Sequence, residues 1–310
     1  MNLLERLVDQ KLISPPAWLP ANTMFLTIMG SIAYGVADTN EDEFQSDFDV
    51  YGFCIPPKEI VFPHLAGEIW GFGKYKEGMP KSYFGQYQKH HVIDPSARGG
   101  KGREYDLSIY NIVKYVQLCS ECNPNMIDSL FTHETCVLHC TQIGQLLREN
   151  RKLFLHQGVC DKFKGYAYSQ VHKMQSKEPL EGSKRAQLRE KFGLDVKFAY
   201  HVVRLLNEAE QILLEGDLDL QRNREQLKSI RRGEWTEQQI LDYFEKKRVD
   251  LEGIRAKSSL PPGPDMAALR DLLLRCLEAH YGSLDRCIVV PGRAEGLLRQ
   301  IREMIEGSGF

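Results

Sequence analysis

Two carboxylates in this chain are spaced for chemistry. Asp47 and Asp49 flank Phe48 and lead into Val50 and Tyr51. Such a stretch reads as a strand, with Asp47 and Asp49 on one face and Phe48 and Val50 turned to the core. Carboxylates about 7 Å apart along a strand face repel each other unless a cation lies between them. That geometry suits a pair of divalent ions. Upstream, Gly30-Ser31 closes the apolar run 24–29 and opens a helix-compatible turn over 32–36. Glycine allows close backbone approach, and a serine with the N–H groups of a helix start can hold a phosphate.

The elements that must position these residues read as follows. An amphipathic first helix and a proline-marked loop (Pro15, Pro16, Pro20) precede a buried strand at 24–29. A second strand carries the Asp-x-Asp pair. Residues 87–93 read as a strand, and extended structure resumes at 104–107. A helix is expected from Ser108 to about Cys119, from apolar positions 109, 112, 113 and 116. Beyond Ile143 the pattern is helical at 141–150, 160–175, 184–214, 236–248 and 265–279. Breaker loops stand at 176–183 and 258–264.

The order Gly30-Ser31, then Ser46-Asp47-Phe48-Asp49, resembles the nucleotidyltransferases of the DNA polymerase β superfamily. It is closest to the predicted bacterial and phage family associated with RNA-repair operons. The resemblance covers about residues 20 to 260. One departure is a long acidic connection, with fifteen residues between Ser31 and Asp47, read as a loop insertion (Asp38, Glu41, Asp42, Glu43). The resemblance implies an α+β fold. A small mixed-sheet, polymerase β-like catalytic domain (1–150) would be followed by an α-helical domain (151–310).

It also implies transfer of a nucleoside monophosphate from an NTP to a hydroxyl, with RNA as an acceptor. Asp47 and Asp49 would hold Mg²⁺ (or Mn²⁺), and Gly30, Ser31 and Ser46 would contact the nucleotide. Asp106, followed by Tyr110 and by Asn123-Pro124-Asn125, matches the place of the family's third acid and would complete the metal site. By position alone, Asp106 could instead cap the helix expected from Ser108. A reading from another class is a silent module of the same fold that binds RNA or a protein.

In the helical half, Lys197, His201, Arg204 and Glu208 recur at spacings of four, three and four on an otherwise apolar helix. Periodicity leaves open whether this stripe is a wet side or the wall of a polar cleft. By the resemblance, Lys197, His201 and Arg204 would face the triphosphate.

Composition excludes several classes. At 310 residues, 42% hydrophobic and 26% charged, the chain reads as globular, with no apolar stretch long enough to span a membrane. Its start lacks the pattern of a signal peptide, and eight scattered cysteines fit a reducing cytoplasm. Cys119, Cys122, Cys136 and Cys140 loosely imitate a zinc site, but 136, 138 and 140 share one face of a strand-like stretch, as core residues would. The net charge of −2 is unevenly spread. Residues 151–205 hold twelve Lys/Arg against five acids, whereas 38–49 hold six acids and no base. A basic segment beside an acidic metal site suits a polyphosphate or nucleic-acid substrate.

Overall fold

Asn2 caps the first helix, α1 (Leu3–Asp9), through a reciprocal bond pair with Glu5. In the following strand, β1 (Thr23–Ile28), all six residues are buried. The computed structural model describes residues 1–37, 47–62, 83–176 and 184–283, with Leu298 and Ile301. The acidic connection, Ser46 and most of the glycine-rich, aromatic stretch 67–85 lie outside them.

β1 pairs antiparallel with both β2 (Phe48–Cys54) and the short β5 (Val137–Cys140). β3 (Gln86–Asp94) and β4 (Arg103–Asn111) complete a five-stranded mixed sheet in the order β3-β4-β2-β1-β5. β2 and β4, at its centre, run parallel, with Asp49 opposite Asp106 and Val50 opposite Leu107. The turn between β3 and β4 contains the short α3 (Ala97–Gly100).

Three local expectations change. The helix expected from Ser108 begins only at Ile112, as α4 (Ile112–Ser120). Residues 108–111 instead continue β4, because they pair with β2 on one side and β3 on the other. Asn111, not Asp106, caps α4, accepting from the Val113 N–H. The turn after Ser31 forms no regular helix. It closes with single bonds such as Tyr34 N–H to the Gly30 carbonyl and Val36 N–H to the Ser31 carbonyl, and Gly35 takes a positive φ. In β5, Cys136 just before the strand is buried, but Leu138 is exposed on this edge strand.

The helices are α5 (Pro124–Phe131), α6 (Gln142–Glu149), α7 (Val159–Ser176), α8 (Lys184–Phe192), α9 (Val196–Glu215), α10 (Arg224–Arg231) and α11 (Glu237–Arg255). The helix expected over 184–214 is two. Gly193 is left-handed, and Asp195 restarts the chain by accepting from the N–H groups of Lys197 and Phe198. α9 is the hub of this half, packed by α7, α10 and α11 and buried over most of its length.

Residues 1–56 and 84–273 form one compact unit containing the sheet and α4 to α11. A second unit, 57–83 and 274–310, holds α2 (Lys58–Val61) and the last turns of α12 (Met266–Tyr281). No described helix is long and apolar enough to cross a membrane.

Candidate active site

Four carboxyl groups gather at one end of the central parallel pair. Asp49 stands directly opposite Asp106, and continuing that register puts Asp47 beside Glu104. The alternation of the strands turns all four toward one face. Desolvation, then the negative charge of Glu104, raises the Asp47 carboxyl above the usual range. Burial also raises Asp49; Lys197 opposes this, and Asp106 and Asp47 add to it. These groups repel, and oxygen donors converging in this way fit divalent cations.

The Gly-Ser loop lies directly over Asp49. The Met29 N–H donates to the Asp49 carbonyl at 2.7 Å. Gly30 has φ +71°, and a Cβ built on it would fall 2.7 Å from Asp49 Oδ2. Both facts demand glycine. Gly30→Ala is expected to cost about 1–3 kcal/mol for the strained backbone and to displace the Asp49 carboxylate. A thermal melt of the metal-free chain and a metal titration would read the two effects separately.

α5 and the helical half brace this loop. Tyr34 Oη donates to Asp128 Oδ2 at 3.0 Å, Gln221 Nε2 to the Ala33 carbonyl at 3.3 Å, and Arg231 Nη1 to the Val36 carbonyl at 2.5 Å. From the same half, Lys197 stands exposed at the start of α9, with its charge acting on Asp49 and Asp47.

The stripe expected to share one surface divides along α9. Arg204 is only 5% exposed and ion-paired to Asp128 (2.5 Å) and Glu208 (2.8 Å), with its guanidinium 4.2 Å from the centre of the Tyr34 ring. The cause is the crowding of α9, which buries the guanidinium against neighbouring elements, while α5 supplies Asp128 as counter-charge. His201 lies between these levels, half-buried, edge-on to Tyr34 at 6.5 Å. Burial, and then the charges of Arg204, Lys197, Arg231 and Lys173, keep it neutral. The structure thus brings Asp47, Asp49, Asp106, Gly30 and Lys197 together and sets Arg204 apart.

Three residues escaped the sequence reading. Glu104 had a legible signal, since Glu104-x-Asp106 repeats the spacing of Asp47-x-Asp49. His90 Nδ1 lies 3.3 Å from Asp106 Oδ2, and His91 Nδ1 lies 2.5 Å from Glu104 Oε1. No spacing rule reaches the two histidines. A register shift between Lys89 and Val92 places His91 in a left-handed conformation.

The four cysteines of the zinc-like pattern form no metal-binding cluster among the described residues. Cys122 Sγ instead meets His156 Nε2 at 3.2 Å.

A groove of about 900 Å³ runs along α7, lined by Lys162, Tyr166, Lys173, Asn125, His201 and Arg204 among others. Arg204 Nε, on its wall, is buried with no hydrogen-bond partner among the described residues. Tyr166, on the groove, accepts a hydrogen bond at its hydroxyl from Asn123 Nδ2 at 2.9 Å.

A mixed sheet whose parallel central strands carry Asp-x-Asp and a facing acid beneath a Gly-Ser loop is that of a polymerase β-like nucleotidyltransferase. The chain belongs to the RlaP family, the RNA repair pathway DNA polymerase beta family, whose model matches residues 4–257. No curated protein matches it. A solved nucleotidyltransferase-like protein from Exiguobacterium sibiricum 255-15 aligns at 9% identity and a TM-score of 0.27, over 82% of this chain and 73% of that one. So distant a likeness carries no argument about the site.

Proposed function

We propose that this chain transfers a nucleoside monophosphate from an NTP to a hydroxyl on RNA, with release of pyrophosphate. The observation that carries the proposal is the direct pairing of Asp49 with Asp106, beneath Gly30 and within reach of the Lys197 charge. Asp47, Asp49 and Asp106 would hold Mg²⁺ or Mn²⁺. Such ions, when bound, lower the pKa of an attacking hydroxyl and offset charge on the departing pyrophosphate.

The protein's own groups do the positioning. Gly30 lets the phosphates approach the backbone, Ser31 offers its hydroxyl beside them, and Lys197 supplies a positive charge to the leaving group. His201, neutral, can donate or accept a hydrogen bond without adding charge. Arg204 has no part in this reading as a phosphate ligand, because its charge is already matched by Asp128 and Glu208. Lys197→Ala is expected to weaken NTP binding by about ten- to a hundredfold without weakening metal binding, since it removes a positive charge from beside Asp49 and Asp47. Equilibrium titration with each ligand would check both.

RNA as the acceptor rests on the groove along α7. Lys162 and Lys173 are eleven residues apart, so the groove follows about 16 Å of helix, enough for two or three nucleotides of a single strand. Tyr166 offers a ring for base stacking. Part of the basic excess over 151–205 is internally matched: Lys152 pairs with Asp217, Lys162 with Glu121, Lys164 with Glu252, and Arg204 with Asp128 and Glu208. Lys173, on the groove, and Lys197, exposed at the start of α9, would contact the RNA backbone.

The test is incubation with each NTP labelled at the α-phosphate and total cellular RNA. Label on RNA, lost in Asp49→Asn, supports the reading. Label on protein or on a small molecule would overturn the acceptor, and no label with any NTP would overturn the activity. RNA binding should also fall steeply with salt.

A further inference from the structure

We propose that His91 and Glu104 complete, with Asp106, a mixed nitrogen-and-oxygen site that prefers a divalent transition-metal ion such as Mn²⁺ over Mg²⁺. This rests on the metal-dependent reading above and specifies the ion taken by the site around Asp106.

The donor set is the first reason. A Mg²⁺ ion is a hard cation that takes oxygen ligands and keeps several waters. An imidazole nitrogen among the donors favours first-row transition ions instead. Carboxylates alone would give no such preference, so His91 is the discriminating residue.

The geometry is the second reason. One donor atom each from His91, Glu104 and Asp106 all lie within 4.8 Å of one another. Metal–ligand bonds of roughly 2.1 Å put neighbouring donors about 3 Å apart and opposite donors about 4 Å apart, so donors spread over no more than 4.8 Å need only small side-chain rotations to meet on one ion. The three side chains also come from two different strands. Glu104 and Asp106 are two residues apart on the central strand β4, whereas His91 is carried in by the irregularity in β3. There its backbone N–H donates to Asp106 Oδ1 at 2.8 Å while its ring reaches Glu104. His90, against Asp106 Oδ2, is a second imidazole at the same carboxylate.

The test titrates the metal-free chain with MnCl₂ and with MgCl₂ by calorimetry. The wild type should bind Mn²⁺ at least about tenfold more tightly than Mg²⁺. His91→Ala and Glu104→Gln should each lose about ten- to a hundredfold in Mn²⁺ affinity, with Mg²⁺ affinity less affected. Spin-echo spectra of the Mn²⁺ complex should show a coupled imidazole nitrogen that His91→Ala removes. His91 is exposed, so this variant should keep the wild-type melting temperature without metal.

Equal affinity for the two ions in the wild type, or His91→Ala within twofold of wild type for Mn²⁺, would overturn the proposal. His91 would then be only an ion-pair partner of Glu104. Loss of NMP transfer in Asp49→Asn beside unchanged Mn²⁺ binding in His91→Ala would leave the transferase standing and remove this inference alone. A wild type that transfers no nucleotide yet shows the Mn²⁺ preference and its loss in His91→Ala would do the reverse.

Discussion

Asp49→Asn is expected to lower nucleotide transfer by roughly a thousandfold or more, the loss of several kcal/mol of metal-assisted stabilisation, without unfolding the chain. Asp49 is half-buried opposite Asp106, beneath Gly30 and on the same face as Asp47. Its carboxyl is held above the usual range by burial and by those two neighbours, against Lys197. Ionised Asp49 is therefore a local destabiliser of the metal-free fold. The amide keeps the shape and removes the charge, so the metal-free variant should melt at or above the wild-type temperature. The sign reverses with metal present, because an ion that binds only the native state stabilises it, and by more the tighter it binds. Wild-type turnover in Asp49→Asn would end the metal-site reading, and a lower metal-free melting temperature would show that Asp49 is a structural acid.

Arg204→Ala is expected to destabilise the fold by about 3–5 kcal/mol, the cost of leaving the buried Asp128 carboxylate without its cation. For a unit of this size the melting temperature should fall by between about 6 and 20 °C. The residues left behind are Asp128, fully buried, and Glu208, only 4% exposed. With them go the guanidinium above the Tyr34 ring and part of the bracing of the Gly-Ser loop. A triphosphate ligand at this position would give the opposite pattern, with weaker NTP binding at an unchanged melting temperature. Arg204→Met combined with Asp128→Asn and Glu208→Gln should recover much of the loss, since no unpaired charge remains.

The same cluster has a pH signature. One guanidinium faces two carboxyls, and burial pushes Glu208 up to about 8 despite the pull of Arg204. The folded state therefore holds a proton that the unfolded chain releases near 4.5. The stabilisation is complete below that pH and fades as pH rises through about 8. Denaturant melts from pH 5 to pH 8 should show stability falling, with a flatter profile in Glu208→Gln.

Period-two alternation and a Gly-Ser step identified the carboxylate strand and its loop without any coordinates, because both are local signals. A strand exposes i and i+2 on one face whatever surrounds it, so Asp47 and Asp49 were legible as a pair. Glu104 and Asp106 carry the same signal at the same spacing. Helix boundaries were less secure where tertiary pairing competes with propensity. Residues 108–111 can satisfy a helical pattern, and only two neighbouring strands decide that they extend β4. Gly193 and Asp195 were visible as residues, but their role in dividing α8 from α9 comes from a left-handed backbone and a cap.

What the sequence determined alone is the Asp-x-Asp strand, the Gly-Ser turn that precedes it, and the helical character of the second half; the α+β fold class came through the family resemblance these motifs carry. The local features follow from short-range sterics and side-chain periodicity. Only the tertiary structure decided which polar residues of α9 meet the carboxylates. Lys197, His201 and Arg204 share one helical stripe, yet the elements packed against each turn differ. Lys197 stands near Asp49, His201 rests against Tyr34, and Arg204 is enclosed with Asp128 from a helix 76 residues away in sequence. The bulge that carries His91 to Glu104 is of the same kind. Long-range packing sets the partners of a side chain, and no spacing along the chain encodes them.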